Sequence, residues 1–173
     1  MKLKTLIVAV AVAALVPVAA LADTVEPQDK LNGARACNAL KTSMGEATFK
    51  TTYANFGKCV SAWTRAEHSN RHEAEAACKT EQADAGFATS HDGKSFQQFY
   101  GVGKQGANAL QRCVQSKRQA ESAEERQATA NAARKCKAER KATGDAAFKA
   151  KYGGTANAFG KCVSKLAQTQ QDA

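Results

Sequence analysis

Six cysteines, three histidines and one dense run of lysine and arginine are the residues of this 173-residue chain whose types and spacing bear on chemistry. Cysteines hold metal when they come in close pairs, C-x-x-C above all, and no such pair occurs among Cys37, Cys59, Cys78, Cys113, Cys136 and Cys162. An even number of widely spaced cysteines in an exported chain points to disulfides instead. His68 and His72 stand at i and i+4, with Glu75 near the same helical face. That spacing suits a metal ion if a third strong ligand joins it, and otherwise marks an ordinary surface histidine pair. His91-Asp92-Gly93 reads as turn chemistry. No G-x-S-x-G, H-E-x-x-H or phosphate-cradling glycine loop occurs, and no nucleophile has a base and an orienter in view. The chain therefore reads as non-enzymatic, with no cofactor.

The formal charge of +9 is unevenly spread. Residues 134 to 166 carry nine basic and two acidic side chains, whereas the chain from 23 to 133 is nearly balanced. Arg134, Lys135, Lys137, Arg140, Lys141, Lys149, Lys151 and Lys161, with Phe148, Tyr152 and Phe159 among them, are candidates for binding a polyanion such as extracellular nucleic acid or an anionic wall polymer. The competing reading is a solvated basic helix face, because the same aromatics recur where the charge does not.

These residues must be positioned by a chain with little apolar bulk. Residues 1–22 form a signal peptide by pattern: Lys2 and Lys4, an apolar run, then Ala20-Leu21-Ala22 as the cleavage site. No stable membrane span is expected after cleavage, and the location is secreted, periplasmic or otherwise extracytoplasmic. From residue 23 onward, Leu, Ile, Val and Phe number 16 and alanine 30. Such a composition favours helices, since alanine has the highest helix propensity, but it needs covalent staples in place of a large core.

Repetition supplies the architecture. Residues 32–53, NGARACNALKTSMGEATFKTTY, align without a gap on 131–152, NAARKCKAERKATGDAAFKAKY, and share Cys37/Cys136, Gly45/Gly144, Phe49/Phe148 and Tyr53/Tyr152. The copies part at a four-residue insertion and rejoin at FGKCVS, residues 56–61 and 159–164. A divergent third copy lies between them, with Cys78, Phe96-x-x-x-Tyr100-Gly101 and Cys113. Each copy reads as two cysteine-bearing helices joined through a short Phe-x-x-x-Tyr turn. Repetition then selects one of fifteen possible pairings: Cys37 with Cys59, Cys78 with Cys113, Cys136 with Cys162. Gly101 and Gly153 suit left-handed helix ends, and Asn108 and Asn157 suit helix starts. Asn70 with Glu73 suits a helix restart within the first connection.

The expected fold is all-α, with three tandem disulfide-stapled helical hairpins joined by long helices. Its bounds are a tail at 23–30, repeats at 31–63, 64–116 and 128–168, a helical linker at 117–127 and a tail at 169–173. An apolar stripe through Cys59, Trp63, Ala66, Ala74 and Ala77 predicts that repeats one and two pack as a unit, and the polar run 115–127 predicts a solvated helix or hinge. The motif of residues 136–164, CKAERKATGDAAFKAKYGGTANAFGKCVS, resembles one found in small exported bacterial proteins, actinobacterial ones especially. That resemblance implies export and helicity and brings no catalytic residues. The expected role is a binding or structural module for an extracytoplasmic protein or cell-surface component, with recognition on the non-repeated stretch 87–106 of repeat two and on exposed helix faces. Polyanion binding by repeat three is the alternative.

Overall fold

The computed structural model describes residues 25–103, 105–154 and 157–171; the signal peptide expected over 1–22 lies outside them. Among the described residues there are eight helices and no strand, apart from an isolated bridge between Val102 and Ala107. Four long helices form the frame: α1 (Pro27–Met44), α3 (Phe56–Ala83), α6 (Ala109–Thr143) and α8 (Ala158–Gln171). Four short ones occupy the connections: α2 (Glu46–Tyr53), α4 (Phe87–Ser90), α5 (Phe96–Tyr100) and α7 (Asp145–Lys151). The fold is all-α, as expected.

Disulfides join Cys37 to Cys59, Cys78 to Cys113 and Cys136 to Cys162, each with Cα atoms 6.0 or 6.1 Å apart. They staple α1 to α3, α3 to α6 and α6 to α8. The two middle helices thus each belong to two hairpins. Gly45 and Gly144 explain why the first and third hairpins turn alike. Both adopt φ near +80° and ψ near +157° (78° and 155°, 81° and 159°), a region closed to residues with a Cβ. Each also donates its N–H four residues back, to Lys41 and Arg140, and so ends one helix while starting the next.

Three small cores follow from the hairpins. Leu40, Phe49 and Trp63 surround Cys37–Cys59; Phe148, Tyr152, Phe159 and Val163 surround Cys136–Cys162; Phe87, Phe96 and Ala109 surround Cys78–Cys113. The phenylalanine of each Phe-x-x-x-Tyr turn is buried against its disulfide, and its ring lies 4.8 to 5.3 Å from that of the tyrosine.

Several local expectations are revised. The stripe on α3 predicts that repeats one and two pack as a unit; α3 does run through both, but their apolar clusters are separate, and the cores that meet are those of hairpins one and three, with Met44 packing against both. The reason is length: α3 and α6 are 28 and 35 residues long and antiparallel, about 40 and 50 Å. Hairpins one and three therefore share one end of the bundle, and hairpin two stands at the other. Gly160 permits the approach, because a Cβ there would lie 2.8 Å from the carbonyl oxygen of Thr52. Of the helix and the hinge expected for the run 115–127 the structure has the helix, within unbroken α6, and Ser122 is its one buried residue. Asn70 caps nothing; it is buried within α3 and donates to Glu125 of α6 at 3.1 Å. Asn108 is left-handed (φ 59°) with no side-chain cap bond. Gly101 is extended (φ −76°) and is required for closeness instead, since a Cβ would meet Gly106 at 2.4 Å. The tail expected over 23–30 is already helical from Pro27, which suits a first-turn position, and α8 continues to Gln171.

Candidate functional site

The basic residues of the third hairpin divide into two groups. Arg140 and Lys149 both bind Asp145, the latter at 2.8 Å, and Lys151 binds Glu139 at 2.6 Å. These hydrogen bonds hold both carboxyls below their ordinary range, the Lys151 bond acting first on Glu139 and the Lys149 bond first on Asp145. Three of the eight candidate cations are thus engaged within their own hairpin. Arg134, Lys135, Lys137, Lys141 and Lys161 are exposed, and none is in an ion pair among the described residues. Arg134, Lys137 and Lys141 fall at i, i+3 and i+7 on unbroken α6, so they form one cationic stripe.

The histidine pair serves a different structure. His68 Nδ1 lies 3.4 Å from the carboxylate of Asp29, a residue with no solvent exposure. Arg71 reaches the same carboxylate at 3.5 Å, Arg118 approaches it at 3.9 Å, and the N–H of Glu26 donates to it at 3.2 Å. The His68 and His72 rings meet edge to face at 4.7 Å, and Glu75 is taken by Arg71. Among the described residues no group of three His, Cys, Asp or Glu side chains has metal-holding geometry. The pair instead helps tie the start of α1 to α3 and α6. Sequence reading passes over Asp29 because its burial is decided by where three helices cross.

A second polar brace recurs between hairpins. The Tyr152 hydroxyl donates to Glu139 and that of Tyr100 to Glu81, each at 2.9 Å, and both glutamates sit three residues after the first cysteine of their hairpin. In hairpin one the equivalent position is Leu40, and Tyr53 instead accepts from Trp63 Nε1 at 3.1 Å. The shared Cys-x-x-Glu is the sequence signal that could have revealed this bond. Burial, and then the bond to Glu81, pushes the Tyr100 hydroxyl up to about 12. Burial works against ionisation of Glu81, but Lys117 at 2.7 Å and the Tyr100 hydroxyl outweigh it and lower its pKa.

The described residues of the non-repeated stretch 87–106 form the far tip of hairpin two. Phe87 stacks on His91 at 3.8 Å, and His91 Nδ1 donates to the Phe87 carbonyl at 2.8 Å. Phe99 sets its ring edge-on to His91 and Tyr100, at 4.6 and 4.8 Å. Its ring is not covered: Phe99 is 46% exposed, and nearby Val102 is 44% exposed. The tip is braced by the Val102–Ala107 bridge and by Arg112 Nε, which donates to the Tyr100 carbonyl at 2.9 Å.

Three disulfides fit an oxidising, extracytoplasmic environment. Among the described residues no helix is long and apolar enough to cross a membrane. Comparison of the chain with protein-family models, with curated proteins and with solved structures gave no match.

Proposed function

We propose that the protein is a secreted, non-enzymatic helical scaffold that binds an extracytoplasmic protein through the tip of its second hairpin. The observation that carries this reading is the joint exposure of Phe99 and Val102 on a tip whose backbone is braced. An aromatic anchor held rigidly at a surface loses little conformational freedom on binding, which is how a few residues come to dominate an interface. A photo-crosslinking residue placed at position 99 of the secreted protein tests it, with Phe56, also exposed at 39%, as the control site. A discrete adduct formed from 99 and not from 56 supports the reading. Adducts alike at both positions, or none at 99, refute it.

The stripe of Arg134, Lys137 and Lys141 favours a second reading, in which hairpin three binds an anionic polymer. Retention on heparin that collapses between about 0.05 and 0.2 M salt supports it. Equal retention after these three residues are changed to Gln counts against it.

A further inference from the structure

A cleft of about 480 Å³ opens between α1 and α6, in the middle of the bundle and away from both surfaces just described. Arg35 enters it from α1, Arg118 and Arg126 enter from α6, and Asn32 and Gln119 complete the polar rim. Glu67 and Ser122 lie at its floor, almost wholly buried, with the serine hydroxyl donating to Glu67 Oε1 at 2.7 Å. The three guanidinium groups are not equivalent. Arg118 is preset: with the Asn32 amide oxygen turned toward it, both terminal nitrogens donate to that oxygen at 3.1 and 3.2 Å. Asp29 stands behind it at 3.9 Å. Arg35 and Arg126 are joined to no carboxylate among the described residues, although the buried Glu67 lines the same cleft. The lining carries three cationic side chains against one acidic one, Glu67, so the cleft has a surplus of cation and of fork-shaped donors.

We propose that this cleft binds a hydroxylated phosphate monoester, with Arg35 and Arg126 clamping the phosphate and Glu67 accepting from a hydroxyl of the ligand. Paired guanidinium groups match the bidentate geometry of an oxyanion better than any other side chain. The buried carboxylate beneath them disfavours a bare anion and favours one that brings its own donor, because Ser122 satisfies only one carboxylate oxygen. The volume admits a ligand of a few carbons beyond the phosphate. The same chemistry is offered by a free ester and by the terminal unit of a phosphate-linked polyol chain. This site uses no residue of the hairpin-two tip or of the hairpin-three stripe, so it stands or falls independently of both.

The test is a titration of the folded protein with glycerol 1-phosphate at fixed ionic strength, read by amide and arginine Nε–H shifts in NMR. Saturable shifts confined to residues 32–39, 67 and 118–126 are expected. Arg35→Gln and Arg126→Gln, which remove no ion pair, each weaken binding by about ten-fold or more. Glu67→Gln keeps an acceptor for Ser122 but weakens binding of glycerol 1-phosphate more than that of inorganic phosphate. Repetition with poly(glycerol phosphate) separates the sources: saturation by the free ester marks a small-molecule site, and saturation by the polymer alone, lost in Arg35→Gln, marks a chain-end reader in the same cleft. Linear shifts with no saturation by either, shifts reproduced by chloride, or binding indifferent to both arginine variants would overturn the proposal.

Discussion

Removing the Cys78–Cys113 disulfide by substituting both cysteines with alanine tests whether the three hairpins are one cooperative body. The bridge closes a loop of 35 residues. Loop-closure entropy for that length gives about 3.8 kcal/mol at 25 °C, against about 3.4 and 3.5 for the bridges spanning 22 and 26 residues. Where that loss appears depends on packing. The apolar cluster around Cys78–Cys113 is separate from those of hairpins one and three, whereas the latter two meet through Met44. The penalty should therefore stay local. Hydrogen exchange followed by mass spectrometry on the double variant should show amides in 79–112 opening roughly 500-fold more often, with 33–66 and 128–167 unchanged. Equal acceleration in hairpins one and three would refute the separation of cores. No acceleration within 79–112 would refute the claim that the bridge constrains the second hairpin.

Gly160→Ala forces a Cβ to within 2.8 Å of the Thr52 carbonyl and should cost about 1–3 kcal/mol by chemical denaturation, whereas Gly57→Ala, whose nearest contact is 3.5 Å, should be neutral or slightly stabilising. Ala54 holds φ +65° with no glycine to ease it, so Ala54→Gly should raise stability by about 0.5–1 kcal/mol on the same assay. Burial first, and then neighbouring Glu67 and Glu73, raises the pKa of Glu125, so folding binds its proton more tightly. Its contribution to stability is complete below the unfolded value and is lost as pH rises through the folded one. Glu125→Gln should accordingly flatten the fall of melting temperature across the range from mildly acid to neutral pH. Ultraviolet titration should find a tyrosine ionising at about 12, and Glu81→Gln should move it downward.

The disulfide pairing was legible because a repeat constrains itself: Cys37 with Cys59 and Cys136 with Cys162 follow once FGKCVS is seen twice. The continuity of α3 and α6 was half legible, from long runs without glycine or proline. What sequence could not reveal is which polar residues the long helices bury. Asp29, Glu67 and Ser122 have no periodic signature, and their burial depends on which helices cross and at what height. The same applies to the rim of the α1–α6 cleft, whose arginines come from distant parts of the chain. Of the eight basic residues singled out by charge density, only the structure separates those paired with Asp145 and Glu139 from those in no ion pair. Gly57 and Gly160 make the same point, since one repeated letter is a packing requirement in only one of its two places.

The three disulfides are consecutive along the chain and never overlap, and this governs how the molecule meets mechanical load. Tension applied at the two ends passes from helix to helix across the sulfur bridges and bypasses stretches of 22, 35 and 26 residues. Those stretches cannot lengthen while the bridges hold. At about 3.4 Å per residue, reduction of the middle bridge alone would release roughly 110 Å of slack. Under load only the stretches outside the bridges can lengthen while the sulfurs stay oxidised, and three further lengths are released in discrete steps when the surroundings become reducing.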